Sequence, residues 1–448
     1  MGTLNISGGG KLLLDGNAGS TTAARATTFY VGGRSVTTAG GSGIARVTGA
    51  GSEIRLSGSD TNFHVGAGPG SSGQFTLADS ARLASTAFAI GTAGGVGIAK
   101  IDNARVDLSG QYTGGPLIGA VMAIGDGADS TGVVTMSNGA RVVITNPGSN
   151  GTGVTIGGSS LRSGGDGTLN MSGGSVLQVI VPADTSSMTV GRTGTGLARV
   201  KGSSVDLGGS ALYVGRFSGA DGTMIVSENS TVSAGYVGSG RNKTGDGGTG
   251  TLIVNASTLT APTIEIGPNG YLGGSGTIIG SIVNYGLVNP GNSPGTLTVD
   301  GSFVNGLGGR LMLEIENDGN GGFNTDHLIF TNGSSVNLTG LDVRFRFLGN
   351  TDPNAFKASG QFVIGQFLQT RDGQGNLVGL APTSFNGAGF SAQADQYVFS
   401  NFSFSVASGA SFTAAPVPEP SEWMMLLAGM GLIYASARRR LGLKLGNV

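Results

Sequence analysis

Apolar and polar residues alternate along most of the chain in short runs, each closed by glycine, asparagine or serine. Gly43-Ile44-Ala45-Arg46-Val47, Gly97-Ile98-Ala99-Lys100-Ile101 and Gly167-Thr168-Leu169-Asn170-Met171 show the pattern. A period of two places successive side chains on opposite faces, so each run predicts a strand with one apolar face. A second landmark is an aliphatic residue followed by glycine: Val31-Gly32, Val65-Gly66, Ile90-Gly91, Ile124-Gly125, Ile156-Gly157, Val190-Gly191, Val214-Gly215, Val237-Gly238 and Ile266-Gly267. These marker glycines recur 23 to 34 residues apart. After each marker come a variable turn, an alternating strand, a small-residue turn and a third short strand such as Ala104-Arg105-Val106-Asp107-Leu108.

A unit of three such strands cannot cover its own apolar faces. Stacking the units buries those faces in one continuous core and pairs each strand with its equivalent in the next coil. The expected fold is therefore all-β: a right-handed, three-sided parallel β-helix, the hand following from the general preference of parallel crossovers. Insertions such as Gly240-Arg241-Asn242-Lys243-Thr244-Gly245 fall at one corner. The pattern is already running at Gly2-Thr3-Leu4-Asn5-Ile6, with no basic and apolar leader after Met1. A start inside the repeat predicts a fragment or a misassigned first residue.

Composition agrees with this picture once the repeat is recognised. Glycine supplies 87 of the 448 residues, which suits a chain of many short strands and many corners. It is not spaced every third residue, so collagen is excluded. Hydrophobic residues make up 38% and mean hydropathy is +0.14, enough apolar surface to form a core. The absence of cysteine excludes disulfides, zinc–thiolate sites and cysteine nucleophiles. Twenty-five basic and 26 acidic residues leave a net charge of −1, which argues against a nucleic-acid partner.

Near residue 290 the pattern tightens to Asn284-Tyr285-Gly286-Leu287-Val288-Asn289-Pro290-Gly291-Asn292-Ser293-Pro294-Gly295-Thr296-Leu297-Thr298-Val299. This run resembles the last coils of bacterial autotransporter-type passenger β-helices, and the upstream units resemble their glycine-rich repeats. Leu311-Met312-Leu313-Glu314-Ile315 and Asp326-His327-Leu328-Ile329-Phe330 fit the same family pattern. The resemblance spans residues 1–350. It departs in one respect, since nothing after Phe404 is long enough to form a translocator barrel. Residues 351–412 are richer in Phe and Gln and are expected to be strands capping the open end of the solenoid.

Residues 413–448 differ again. Pro416-Val417-Pro418-Glu419-Pro420 is stiff and extended. An apolar run of 15 residues, 423–437, follows, and then Arg438, Arg439 and Arg440. As a helix the run is ~22 Å long, short of a ~30 Å hydrocarbon core, a gap that Trp423 at one end and snorkelling arginines at the other can bridge. Arginine bias orients it with the tail cytoplasmic. The order resembles the PEP-CTERM sorting signal of Gram-negative bacteria. The resemblance implies that Pro418, Glu419 and Pro420 are the motif recognised by an exosortase, a membrane-embedded transpeptidase. It also implies that Trp423, Leu426, Leu427, Leu432 and Ile433 anchor a transmembrane helix at about 421–437, and that Arg438–Arg440 stop transfer. The longer tail to Val448 and the missing signal peptide depart from the family pattern.

Catalytic chemistry has few candidates. Asp126, Asp129, Asp166, Asp221 and Asp246 stand beside or near glycine before second strands. Aligned on one edge they could hold Ca²⁺, although Asp-Gly is also ordinary turn chemistry, which is the preferred assignment. No resident metal or cofactor is expected. His64 is expected to face outward beside an inward Phe63, and His327 follows the family aspartate, Asp326; no shared site is expected of them. Arg46, Arg55, Lys100, Arg105, Arg141, Arg199 and Lys201 at alternating positions describe a solvated face that could also contact acidic polysaccharide. The expected function is a non-enzymatic, exported surface or matrix protein, a rigid adhesive or exopolysaccharide-associated solenoid that could also self-associate. It would be a precursor anchored in the inner membrane, facing the periplasm, and then sorted to the cell surface. The alternative is a β-helix polysaccharide lyase or hydrolase, which would need convergent acidic or basic side chains in one groove.

Overall fold

The computed structural model describes residues 1–15, 27–58, 61–110, 121–145, 152–159, 162–180, 186–331, 335–380 and 382–417. Its alternating runs form three parallel strand ladders, one on each side of a coil. The first ladder begins with Gly2–Ile6, Ser42–Thr48, Ser72–Ala78 and Val96–Asp102 and continues through fourteen strands in line to Gly389–Ala394. The second begins with Lys11–Asp15, Glu53–Ser57, Arg82–Ser85 and Arg105–Ser109. The third carries the marker residues, in Thr27–Gly33, Thr61–Ala67, Ala87–Thr92 and Val121–Asp126. Strands Thr258–Ile266 and Thr277–Asn284 each serve both of the last two ladders, with a register shift between Thr260 and Thr263 at the bend.

Register explains the core. Phe29, Phe63, Phe88, Met122 and Val154 pair in sequence along the third ladder. Phe63, Phe88, Met122 and Val154 are fully buried. Phe75 of the first ladder meets Phe63 and Phe88 at ring distances of 4.8 and 5.9 Å. Each such side chain contributes about 1.5–3 kcal/mol by leaving water. Because inward residues of every coil join one cluster, the core runs from Val31 to Ala414.

The marker glycines have a steric cause. Gly91 has φ +64°, and a Cβ there would overlap the carbonyl oxygen of Thr131 in the next coil. Gly132, immediately after Thr131, would in turn overlap the Ile90 oxygen. Two glycine columns therefore interlock where the chain turns from the third ladder into the first. One marker is displaced by two residues. Gly238 lies within strand Tyr236–Ser239, opposite Tyr213, and the corner glycine of that coil is Gly240, with φ +61°. Ser239 takes the buried place that an aliphatic residue fills elsewhere, with its hydroxyl donating to the Gly250 carbonyl at 2.9 Å.

The segment after 350 is not made of strands alone. The second ladder reaches Leu368–Arg371 and the first reaches Gly389–Ala394, so coiling continues past residue 350. Two short helices, Pro353–Ala358 and Ile364–Phe367, lie between. Asp352 caps the first by accepting the Asn354 N–H, and Pro353 suits its first turn. These helices and the turn between them press Phe356, Phe362 and Phe367 onto the last full coil, where Phe345 and Phe347 are completely buried. An antiparallel hairpin, Tyr397–Ser405 with Gly409–Pro416, adds Phe404 and Phe412 to the same cluster. No helix among the described residues is long and apolar enough to cross a membrane. The expected span at 421–437 lies outside them.

Candidate functional site

Most outward positions of the three ladders behave as a solvated surface. Arg46, Lys100 and Arg199 share one outer row of the first ladder, separated by Thr76, Thr135 and Asn170. Arg55, Arg105 and Arg141 belong to a different side, the second ladder. The expected basic row is therefore split between two faces. Part of it, Arg55, Arg105 and Lys201, is also neutralised. Arg82 and Arg105 share Asp107, both at 2.7 Å, Arg55 meets Glu53 at 3.1 Å, and Lys201 meets Glu228 at 2.9 Å.

The acidic candidates do not converge. Asp166 and Asp221 share a row of the first ladder, but Thr195 stands between them and places them two rungs apart, roughly 10 Å. Asp126 sits at a corner, buried, and accepts from Arg162 at 3.0 Å. Asp246 is exposed and pairs with Arg241 at 2.7 Å. Asp129 adopts φ +59° in a turn. No group of three metal-ligating side chains occurs among the described residues. His64 and His327 stand on different ladders, the third and the second. His64 stacks on Tyr30 at 5.1 Å, and burial together with Arg162 pushes its imidazole down to about 4. His327 faces the Gln366 carbonyl at 2.7 Å.

The outer face of the third ladder is different from the rest. Ala89, Ala123, Thr189 and Tyr213 point away from the core yet are buried, because corner segments fold back across this side. Those segments carry arginines. Val190-Gly191-Arg192 and Val214-Gly215-Arg216 occupy equivalent places in successive coils, since Val190 pairs with Val214. Arg241 follows the next corner glycine, Gly240. Aromatic rings lie among them: the Arg216 guanidinium is 4.3 Å from Tyr213 and 5.0 Å from Phe217, Arg192 is 5.1 Å from Phe217, and Arg241 is 4.4 Å from Tyr285. Tyr213 and Tyr236 contact each other at 5.7 Å.

Charge balance varies along this band. Arg162 has Asp126, while Arg241 has Glu265 at 2.6 Å and Asp246 at 2.7 Å. Arg192 and Arg216 have no ion-pair partner among the described residues. Burial and the neighbouring Arg216 charge push Arg192 down to about 10 against the opposing pull of the Asp126 carboxylate, and burial lowers Arg216 as well. The Nε atoms of both, and the Thr155 hydroxyl on the same outer row as Thr189, are shielded and make no hydrogen bond. None of these arginines stands out by strand alternation. The signal was available in the repeat, as an arginine directly following a marker glycine in two successive coils.

A second polar centre lies inside the last coils. Asp326 is fully buried and accepts the N–H groups of Gly295 and Glu314, each at 2.8 Å. It thereby ties the segment Pro290-Gly291-Asn292-Ser293-Pro294-Gly295 to the first ladder. Burial pushes its carboxyl up to about 8, with Glu314 adding in the same direction against those two hydrogen bonds. Glu314 is itself buried, facing Arg346 at 3.5 Å and accepting from Ser293. A buried pair tied into backbone in this way acts as a structural clasp.

The expected sorting motif Pro418, Glu419 and Pro420, the anchor residues Trp423, Leu426, Leu427, Leu432 and Ile433, and Arg438, Arg439 and Arg440 all lie outside the described residues. No protein-family model matches the chain, and no curated protein matches it significantly.

Proposed function

We propose that this chain is a non-enzymatic, exported surface or matrix protein whose solenoid serves as a rigid spacer or adhesive element. The observation that supports this most is the unbroken first ladder. Fourteen parallel strands make a rod roughly 60 Å long with one continuous core. A load placed at one end of such a rod is carried by stacked backbone hydrogen bonds and a shared core. The scatter of Asp166, Asp221, Asp126 and Asp246, and the burial of Glu314 and Asp326, favour a scaffold over a hydrolase or lyase groove.

The order of Pro418, Glu419 and Pro420, an apolar run and Arg438–Arg440 supports sorting by an exosortase-type transpeptidase from an inner-membrane precursor. The test is mass spectrometry of the mature C-terminus after expression in an exosortase-bearing Gram-negative host. A C-terminus near residues 418–420 in the surface or matrix fraction is expected. An intact tail to Val448, retained in the inner membrane, would overturn the sorting assignment.

A further inference from the structure

We propose that Arg192 and Arg216 form a receptor for the carboxylates of an acidic polysaccharide on the outer face of the third ladder. The first support is position. The two residues occupy equivalent corners of successive coils, and their guanidinium groups lie 5.1 and 5.0 Å from the same Phe217 ring. Two like charges gathered on one ring are costly unless an anion joins them. In a chain with so few charges, their neighbours Arg162 and Arg241 each form an ion pair, whereas neither of these two does among the described residues, Asp126 acting on Arg192 only from beyond ion-pair distance.

The second support is rigidity. Phe217 lies against both guanidinium groups, Tyr213 lies against that of Arg216, and the Arg216 Nη1 donates to Ser187 at 3.3 Å. Aromatic contact fixes the guanidinium planes, which lowers the entropy lost when a carboxylate docks in two-point fashion. The third support is the surroundings. Ser187 offers a hydroxyl beside Arg216, and Phe217 offers an apolar ring against both guanidinium groups. A hydroxyl and an aromatic ring suit a sugar, and arginines suit its acid group. A nucleic acid would need a longer basic tract than these two residues.

The proposal takes its ligand from the matrix-facing role given above, but its test does not depend on sorting. The purified full chain is titrated with polygalacturonate, with neutral dextran and with inorganic polyphosphate. Saturable, salt-sensitive binding of polygalacturonate alone is expected. Arg192→Gln and Arg216→Gln should each weaken it about tenfold or more. Lys100→Gln with Arg199→Gln, on the first ladder, should leave it unchanged. Circular dichroism of each variant confirms folding, and Arg192→Lys with Arg216→Lys should bind at an intermediate level because charge remains without the planar fork. The proposal is overturned if the native chain binds dextran equally or binds nothing. It is also overturned if the folded double Gln variant binds as the native chain does, if the Lys100 and Arg199 changes weaken binding as much, or if polyphosphate binds as well. The mature C-terminus is unaffected by any of these outcomes, so failure here and failure of the sorting assignment are separable.

Discussion

The carboxylate of Asp326 accepts the backbone N–H of Glu314 at 2.8 Å, although the two acids share one buried centre. Its other oxygen holds the Gly295 N–H, so one side chain bridges two segments, at Gly295 and Glu314, that are 19 residues apart. Asp326→Ala would leave two buried donors unpaired, each costing about 1–3 kcal/mol. Chemical denaturation should show a loss of about 2–6 kcal/mol, concentrated in the C-terminal coils, as read by hydrogen exchange of 287–331.

The same residue sets a pH dependence. Its folded pKa, about 8, lies above the ordinary 3.8, so the folded state binds the proton more tightly. Its contribution to stability is complete below about 4 and is lost as pH rises through about 8. Melting temperature measured from pH 5 to 9 should fall with rising pH by more in the native chain than in Asp326→Asn. Equal slopes would show that Asp326 does not titrate in this window.

His64 acts at the opposite end of the scale. Its folded pKa, about 4, lies below the ordinary 6.5, so the folded state disfavours the charged ring, with the Arg162 cation adding to the effect of burial. No penalty exists above pH 6.5; it grows as pH falls and is complete below about 4. His64→Phe keeps the stack on Tyr30 and should remove this acid sensitivity. An unchanged acid limb in its unfolding profile would assign the sensitivity elsewhere.

Glycine columns give a paired test. Gly125 and Gly139 both adopt positive φ, +66° and +78°. A Cβ on Gly125 would overlap the Asp166 carbonyl, whereas nothing lies within 4 Å of one on Gly139. Gly139→Ala should cost only left-handed strain, about 1–2 kcal/mol. Gly125→Ala adds a backbone clash between coils and should cost clearly more, seen as a lower denaturation midpoint. Equal costs would mean that backbone conformation alone selects these glycines.

The cap should protect the solenoid end. Phe345 contacts Phe362, Phe367 and Phe404 from the cap. Phe345→Ala should cost about 3–5 kcal/mol and loosen the helices before the upstream coils. Light scattering should then show concentration-dependent association as the open end is exposed. A variant that stays monomeric after the cap loosens would remove the protective role.

Alternation in runs such as Gly97-Ile98-Ala99-Lys100-Ile101 determined the strands, their inward faces and the stacked architecture. This information is local, because a period of two needs only the residues of one strand. The glycine markers were legible for the same reason, except at Gly238, where Tyr236 and Ser239 shift the corner by two residues and only pairing with the adjacent coils exposes it. The helices around Phe356 and Phe367 were not legible, since packing on the last coil overrides a weak local preference there. The division of the basic residues between two faces was settled by register across coils of unequal length. So was the meeting of Arg192, Arg216 and Phe217, and so was the burial of Asp326 against Glu314. Strand periodicity is written into neighbouring residues. Which corner folds over which face, and which charges then lack partners, depends on residues brought together only when the coils stack.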